Sequence, residues 1–238
     1  MAKGFTFKQF HINDHDCGMP VSTDGVLLGS WATLNPHGII ADIGTGSGLL
    51  ALMAAQRTQT YSPSILAIDI DDKAVAAAQR NFADSPWQTQ LTGLVGNIVD
   101  WCANQPAGCI DTILCNPPYF NSGEQANCQA RATARHTDSL SHQHLLDSIN
   151  HLLSETGVAN LILPEYEGRQ FITLASKISL NCLRLCEVRS TDKKLVNRLL
   201  ISLSKEQRET VTEQLVIHQQ GQYSAEFIAL THDFYLKM

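Results

Sequence analysis

The chain has 238 residues, 44% of them hydrophobic and 17% charged, which predicts one larger α/β domain with a substantial core. Its formal net charge of −6 argues against a generic nucleic-acid coat protein, because such proteins gain affinity from many phosphate contacts. No apolar stretch approaches the roughly 20 residues that span a bilayer, and the amino-terminal residues lack the apolar core of a signal peptide. We therefore expect a cytoplasmic protein.

Strand and helix patterns alternate along the chain, which is typical of a parallel sheet with helices on both faces. A glycine-rich turn at 44–48 follows the first predicted strand. In chain order the patterns predict strands at 39–43, 64–69, 91–95, 111–115, 158–163, 180–188, 198–203 and 214–217. They predict helices at 49–57, 72–82, 167–178 and 225–232, and another that begins behind Ser141 as N-cap and is closed by Gly157.

The segment 192–197 is too short for a crossover helix, so the two strands around it should form an antiparallel hairpin. A parallel seven-stranded sheet with one antiparallel strand resembles the Rossmann-like class I methyltransferase fold. We find no linker and no internal repeat, so we expect a single domain over 1–238. Its core sheet should occupy 37–204, and 205–238 should add a strand and a helix.

The cysteines favour a reducing compartment over a disulfide framework. There are seven of them, an odd number spread along the chain. Cys182 and Cys186 alternate with leucines in a strand-like segment, and no second close pair completes a zinc site. We therefore expect no metal.

The glycine loop predicts a backbone that approaches a ligand closely, because Gly44, Gly46 and Gly48 remove the side chains from the turn. Its G-x-G-x-G spacing departs from the G-x-G-x-x-G of dinucleotide sites and better resembles an S-adenosylmethionine loop. By that resemblance Asp42 and the glycines meet the methionine part of the cofactor. Asp69, at the end of the next strand, is placed to accept hydrogen bonds from both ribose hydroxyls.

The segment Asn116-Pro117-Pro118-Tyr119 follows the fourth strand and favours chemistry on a planar nitrogen. The lone pair of such a nitrogen is delocalised, so the group must be aligned before it attacks an electrophile. The Asn116 side-chain oxygen and the Pro117 carbonyl can accept its two hydrogens. The prolines stiffen the loop, and Tyr119 offers a flat face for stacking. In isolation the tetrapeptide also fits a proline-ended strand and a turn.

Together these motifs resemble the class I S-adenosylmethionine methyltransferases that modify planar nitrogens. The segments 4–10, 21–32 and 234–238 further resemble the bacterial tRNA1(Val) adenine-37 N6-methyltransferase family, over nearly the full length. The resemblance implies that 1–36 covers the substrate and cofactor side, with Thr23 at the cofactor. It also implies that Ile70 packs on the cofactor adenine and that Asn97 binds its amino group, where many relatives carry Asp. Thr23 or Asp24 is equally a predicted N-cap of a helix at 26–32.

The implied substrate is tRNA, at an adenine beside the anticodon of a valine tRNA, with no obligate protein partner and no membrane. Pro118 and Phe120 should complete the contacts with the base, in an anticodon loop that is already partly unstacked. A positive rim should hold the phosphates, although scattered solubilising charges are the alternative interpretation; its members are Lys193, Lys194, Arg198, Arg131, Arg135, His136, Lys3 and Lys8.

Three alternatives stay open at this point. Glutamine methylation of release factors uses the same loop but would ordinarily come with a longer amino-terminal substrate domain. Guanine-N2 methylation of ribosomal RNA belongs to the same branch. A binding module that keeps the fold without catalysis is the third, although every residue required for transfer is present.

Overall fold

The computed structural model describes residues 4–13, 20–117 and 140–237, and its strands and helices alternate as the sequence predicts, although the helix at Ile98–Ala103 was not predicted. The strands are β1 (Gly4–Thr6), β2 (His11–Asn13), β3 (Ile40–Ile43), β4 (Ile65–Asp69), β5 (Leu91–Val95), β6 (Ile110–Cys115), β7 (Leu153–Pro164), β8 (Asn181–Thr191), β9 (Arg198–Ser204), β10 (Val211–Gln219) and β11 (Gln222–Tyr223). The helices are α1 (Thr23–Trp31), α2 (Leu49–Thr58), α3 (Asp72–Ala83), α4 (Ile98–Ala103), α5 (His142–Leu152), α6 (Glu165–Ser176) and α7 (Ala225–Thr231), with a short 3-10 helix at Gln88–Gln90.

A nine-stranded sheet forms the centre, in the order β11-β10-β8-β9-β7-β6-β3-β4-β5. Its seven strands from β8 to β5 confirm the predicted fold class, and β9 is the antiparallel strand among them, paired with β7 and β8. The predicted strand at 214–217 is part of β10, which pairs with β8 in parallel and extends the sheet beyond the predicted seven. β11 then adds an antiparallel pair at that edge.

Side-chain alternation on the strands divides the core into two layers. Ile113 and Cys115 of β6 pack in one buried cluster, whereas Leu114 between them packs in the other. Helices α1, α2 and α7 contribute to the Leu114 side, and α4, α5 and α6 contribute to the opposite side. The sheet is therefore covered on both faces, as strands of this apolarity require.

Two local predictions were wrong. Ser22, not Thr23 or Asp24, caps α1, since its hydroxyl oxygen accepts a hydrogen bond from Gly25 N at 3.1 Å. Gly157 does not close a helix: α5 ends at Leu152, and Gly157 lies inside β7. A Cβ at Gly157 would lie 2.8 Å from Leu153 Cδ1, so close packing within the strand, not a helix end, accounts for this glycine.

The amino-terminal hairpin β1–β2 was not predicted, and it packs against the sheet domain through a polar and an apolar contact. Asn81 of α3 accepts a hydrogen bond from Asn13 N at 3.0 Å and donates one to Asn13 O at 2.9 Å. Phe7 is buried, stacks on Phe10, and forms a bridge with Tyr235 near the carboxyl end. The hairpin thus contacts both α3 and the carboxyl-terminal region, which are distant from it in sequence.

No helix in the described part of the chain is long and apolar enough to cross a membrane. Within the same residues, no group of three or more His, Cys, Asp or Glu side chains is arranged to hold a metal ion.

Candidate functional site

The predicted site residues converge on the carboxyl-terminal edge of the sheet, because β3, β4, β5 and β6 are parallel neighbours. Ile43 pairs with Ile68 on one side and with Cys115 on the other. The residues that follow these strands therefore lie side by side at one edge. They are Gly44 after β3, Ile70 after β4, Asn97 after β5 and Asn116 after β6. This edge is where open α/β sheets bind their ligands.

The glycine loop leaves β3 in a conformation that favours glycine. Gly44, Gly46 and Gly48 have φ angles of +73°, +55° and +87°, in the left-handed region that other residues rarely adopt. Gly44 N and Thr45 N both donate to Ile68 O, at 2.8 and 3.1 Å. Gly46 N donates to Asp69 Oδ2 at 2.9 Å, which ties the loop to the end of β4.

Two glycines border open space, whereas a third is needed for packing. Apart from the chain neighbours of each glycine, no described residue has a heavy atom within 4 Å of a Cβ built on Gly44 or on Gly96. A Cβ on Gly48 would lie 2.5 Å from the ring of Phe82. Gly44 and Gly96 therefore leave room for a ligand against the backbone, and Gly48 lets α3 approach α2.

Asp42 is a fully buried carboxylate at the amino end of α2. Its Oδ2 accepts hydrogen bonds from Thr45 Oγ1 at 2.6 Å and from Ala51 N at 3.1 Å. Its Oδ1 is buried and has no hydrogen-bond partner among the residues that the structure describes. Burial raises the pKa of Asp42 to about 7, against the lowering effect of the two hydrogen bonds. The unpartnered oxygen suits a donor supplied by a ligand.

Asp69 and Asn97 frame the neighbouring part of the edge. Asp69 Oδ1 accepts from Asp71 N at 3.0 Å, so each carboxylate oxygen holds one backbone N–H and keeps a second lone pair. Asn97 is the N-cap of α4, and its Oδ1 accepts from Val99 N at 2.9 Å. Ile70, which directly follows Asp69, is 58% exposed and presents an apolar surface at this edge.

These features fit S-adenosylmethionine. The open backbone at Gly44 and Gly96 admits a ligand, and the orphaned oxygen of Asp42 suits an ammonium group. The free lone pairs of Asp69 suit ribose hydroxyls, and the exposed Ile70 suits the face of an adenine. Asn97 retains acceptor capacity, but its capping bond competes for it.

Thr23 lies near the same loop. It is the first residue of α1 and is exposed to solvent. A Cβ on Gly25 would lie 2.8 Å from Leu49 Cδ2, so the start of α1 passes close to the start of α2. The structure thus brings the Thr23 segment to the end of the glycine loop, across a large distance in sequence.

Asn116 and Pro117 end the described part of the predicted catalytic loop. Asn116 is half-buried and Pro117 is buried, directly after β6 and beside Gly44. The neighbouring Cys115 is fully buried, and burial raises the pKa of its thiol far above the ordinary value, with Asp42 and Asp69 adding to the effect. Cys115 is therefore an inert core thiol. Pro118, Tyr119 and Phe120 lie outside the described residues.

The predicted rim is described only in part. Lys193 and Lys194 are exposed in the turn between β8 and β9, at the same sheet edge as Asn116. Arg198 Nε donates to Asp24 Oδ2 at 2.8 Å, so this side chain also joins β9 to α1. Lys8 Nζ donates to the carbonyl of His232. The other predicted members lie outside the described residues, namely Lys3, Arg131, Arg135 and His136.

Sequence reasoning missed three residues that build the site. Thr45 holds Asp42, Gly96 opens the space beside Asn97, and Asn81 donates to Ser47 O at 2.8 Å and so supports the loop. The position of Gly96 between a strand and Asn97 was an available signal. Nothing local distinguishes Asn81 from any other polar residue on a helix, because its partners come from two remote segments.

Known proteins match both the sequence and the fold. A family model described as "Methyltransferase small domain" matches residues 25–143. The tRNA1(Val) (adenine(37)-N6)-methyltransferase of Photobacterium profundum is 60% identical over all of both chains, and that of Vibrio campbellii is 48% identical over 100% of this chain and 97% of its own. A crystal structure of a predicted O-methyltransferase from Agrobacterium tumefaciens superposes with a TM-score of 0.71 at 16% identity, covering 89% of this chain and 96% of that one, which shows the fold. The chain therefore belongs to the tRNA1(Val) (adenine(37)-N6)-methyltransferase family, within the class I S-adenosylmethionine-dependent methyltransferases.

Proposed function

We propose that this protein methylates N6 of an adenine in tRNA, and that the base is adenine 37, beside the anticodon of tRNA1(Val). The observation that carries the proposal is the position of Asn116 and Pro117 at the edge of the sheet beside the glycine loop, in a chain 60% identical to a relative of that name. We place the reaction in the cytoplasm and expect it to need no second protein.

The reaction is an in-line displacement in which the adenine amino nitrogen attacks a methyl group. S-adenosylmethionine would supply that methyl on a sulfonium, so the carbon–sulfur bond would break as the nitrogen–carbon bond forms, and the proton released by the methylated amino group would pass to water. Asn116 Oδ1 and the carbonyl of Pro117 would accept the two amino hydrogens and so aim the nitrogen lone pair. The amino group becomes strongly acidic only after transfer, so positioning contributes more to the rate than acid or base strength.

The residues around the cofactor have separable duties. Asp42 and the open backbone at Gly44 would hold the methionine part, and Asp69 the ribose. Ile70, Asn97 and Thr23 would border the rest of the cofactor. Tyr119 or Phe120 would stack on the target base, with Pro118 stiffening the loop beside it.

A labelled-methyl assay tests the substrate. Purified protein and labelled S-adenosylmethionine are offered tRNA from cells that lack this protein, a release factor, or neither. We expect label in tRNA alone, and nucleoside mass spectrometry should identify it as N6-methyladenosine. Incorporation only into the release factor would refute the proposal and favour glutamine methylation, and N2-methylguanosine in RNA would refute it as well.

Replacing Asn116 tests the mechanism. Asn116→Ala removes the acceptor that aligns the amino group, so methyl transfer should fall by at least ~100-fold, the scale on which misplaced reacting groups lose rate. Cofactor affinity, measured by calorimetry with S-adenosylhomocysteine, should change by less than about twofold, because the side chain aligns the base. Full activity in this variant would contradict the role of Asn116.

A further inference from the structure

A second pocket lies at the same edge of the sheet, farther along it than the proposed catalytic residues. Its volume is about 280 Å³. It lies between the start of α1, the β8–β9 turn, β10 and α7. Its lining includes Asp24, Asn197 and Arg198 on one side and His218, Tyr223 and Phe227 on the other. Among the residues that the structure describes, Thr23 is the one proposed cofactor or catalytic group that lines it.

The aromatic side of this pocket is an ordered stack. The ring of Tyr223 lies 4.7 Å from His218 and 4.9 Å from Phe227, with interplanar angles of 26° and 22°. Phe227 is buried in the core, whereas Tyr223 is 47% exposed. Tyr223 therefore lies between the other two rings, with Phe227 holding the stack to the core and His218 as its terminal ring beside the pocket.

The opposite side of the pocket is polar and presents its groups in a defined arrangement. The Arg198 guanidinium donates to Asp24 Oδ2 at 2.8 Å and to Asn197 O at 2.8 Å. A carboxylate, an amide and a guanidinium together offer both acceptors and donors. An aromatic wall facing such a set suits a flat ring with polar edges.

A nucleobase has this chemistry. Proteins bind unpaired bases by stacking them on aromatic side chains and by hydrogen bonding to their edges. The volume lies just below the range of roughly 300–1,000 Å³ typical of drug-sized ligands, as expected for a single base. The adjacent turn carries the exposed Lys193 and Lys194, and Leu195 beside them is 88% exposed. The lysines supply positive charge for the phosphates on either side of a bound base.

The target adenine cannot itself occupy this pocket while Asn116 aligns it. β10 and β6 are separated by β8, β9 and β7, which makes four strand spacings. At about 4.8 Å per spacing, the His218 wall lies roughly 19 Å along the sheet from the end of β6. One base does not span that distance.

We infer that this pocket binds a second, unpaired base of the tRNA, one that flanks the target adenine. This inference rests on the proposed function and adds to it a site that reads or anchors the loop around the target. Two bases held at one edge would set the register of the anticodon loop, so the correct adenine would meet Asn116.

The test is a thermodynamic cycle with full-length tRNA1(Val) transcripts assembled by ligation. Each nucleotide of the anticodon loop is replaced in turn by an abasic nucleotide, and the dissociation constant is measured by fluorescence anisotropy in saturating S-adenosylhomocysteine. With wild-type protein, one abasic position other than the target should weaken binding about tenfold, equivalent to ~1.4 kcal/mol. Tyr223→Ala should weaken binding of intact tRNA by a similar factor, and the same abasic position should then add less than about twofold.

Two further variants test whether the effect is specific to this pocket. Tyr61→Ala removes a tyrosine of similar exposure, 56%, which lies before β4 at the amino-terminal edge of the sheet, and should keep the wild-type profile. His218→Ala removes another ring of the stack and repeats the cycle if Tyr223→Ala does not fold. Additive effects of the abasic position and the variant, or coupling at the target adenine alone, would overturn the inference. Methyl transfer to intact tRNA, measured on the same wild-type sample, separates the two ideas, because its absence would contradict the proposed function itself.

Discussion

At the residue scale, two glycines of the same loop have different structural roles. Gly44 and Gly48 both have positive φ, but only Gly48 lies against another side chain. Their spacing alone could not separate a glycine that admits a ligand from one that admits a helix. The separation comes from α3, whose Phe82 fills the space beside Gly48.

Gly44→Ala should weaken cofactor binding by more than its loss of folding stability alone would explain. The left-handed backbone costs roughly 1–2 kcal/mol of stability with a side chain present, and the new methyl would enter the open space where we propose that the cofactor binds. We expect at least a tenfold rise in the dissociation constant of S-adenosylhomocysteine by calorimetry, on the scale of ~1.4 kcal/mol.

Gly221→Ala is the matched control. Gly221 has φ of +80°, and a Cβ there likewise meets no heavy atom of the described residues within 4 Å, its chain neighbours aside. The unfolding free energy of the Gly221→Ala variant should fall by the same roughly 1–2 kcal/mol, because its backbone is also left-handed. Its affinity for S-adenosylhomocysteine should stay unchanged. Equal cofactor affinities in the two variants would contradict a cofactor at Gly44.

The buried carboxyl of Asp42 predicts a pH dependence of stability. Its pKa is raised from 3.8 to about 7 in the folded state, so between these values the folded protein binds more protons than the unfolded chain. The stabilisation is complete below the lower value and is lost as pH rises through the upper one.

Asp42→Asn removes that titration. Urea unfolding of both proteins from about pH 4.5 to about pH 7.5 should show the wild type losing stability relative to the variant as pH rises. Parallel curves would mean that Asp42 is charged in the folded protein throughout.

At the element scale, the β8–β9 hairpin lies where an acidic protein can still meet a polyanion. Lys193 and Lys194 are exposed in its turn, at the edge that holds Asn116. Arg198, the first residue of β9 after the turn, is paired with Asp24, so the hairpin is attached to α1 by an ion pair. The lysines therefore project from an anchored element.

Reversing both charges, as Lys193→Glu with Lys194→Glu, should weaken tRNA binding and reduce its salt dependence. Removing one lysine–phosphate interaction lowers the slope of log K against log salt by roughly 0.7–0.9, so we expect a reduction of about 1–2. Filter binding across a salt series measures it.

Lys177→Glu is the control for that experiment, because Lys177 is exposed after α6 at the far end of the sheet. It should change the slope less than either single reversal in the hairpin. An unchanged slope in the double variant would show that these lysines do not contact phosphates.

On the scale of the whole molecule, Asn81 joins the amino-terminal hairpin to the sheet domain. Its side chain bonds both backbone groups of Asn13 and the carbonyl of Ser47 in the glycine loop. The hairpin also meets the carboxyl-terminal region, where Lys8 N donates to Phe234 O at 2.8 Å. One buried amide thus links the amino-terminal hairpin to the glycine loop.

Asn81→Ala should destabilise the protein by about 2–4 kcal/mol, since buried backbone groups lose their partners. Hydrogen exchange at 4–13 should rise together with exchange in the glycine loop. Asn104→Ala, at the exposed C-cap of α4, whose side chain donates to Asp100 O at 2.9 Å, should cost about 0.5 kcal/mol or less. If hydrogen exchange at residues 4–13 were as slow in the Asn81→Ala variant as in the wild type, Asn81 would not be the residue that holds the hairpin to the sheet domain.

The sequence by itself determined the fold class, the order of the elements in the core sheet and the family. These follow from local information, because hydrophobic period, glycine spacing and the Asn116 motif are carried by neighbouring residues. The errors at Ser22 and Gly157 have the same origin. Both concern the residue at which a helix begins or ends, and local sequence signals fix such boundaries only to within a few residues.

Only the tertiary structure decided how remote residues combine. The orphaned oxygen of Asp42, the open space at Gly96 and the aromatic stack at Tyr223 exist because segments distant in the chain pack together. Burial, pKa and cavity shape are properties of such packing, and no stretch of sequence contains them. The amino-acid sequence could indicate that an adenine is methylated, whereas the place for a second base required the sheet to be assembled.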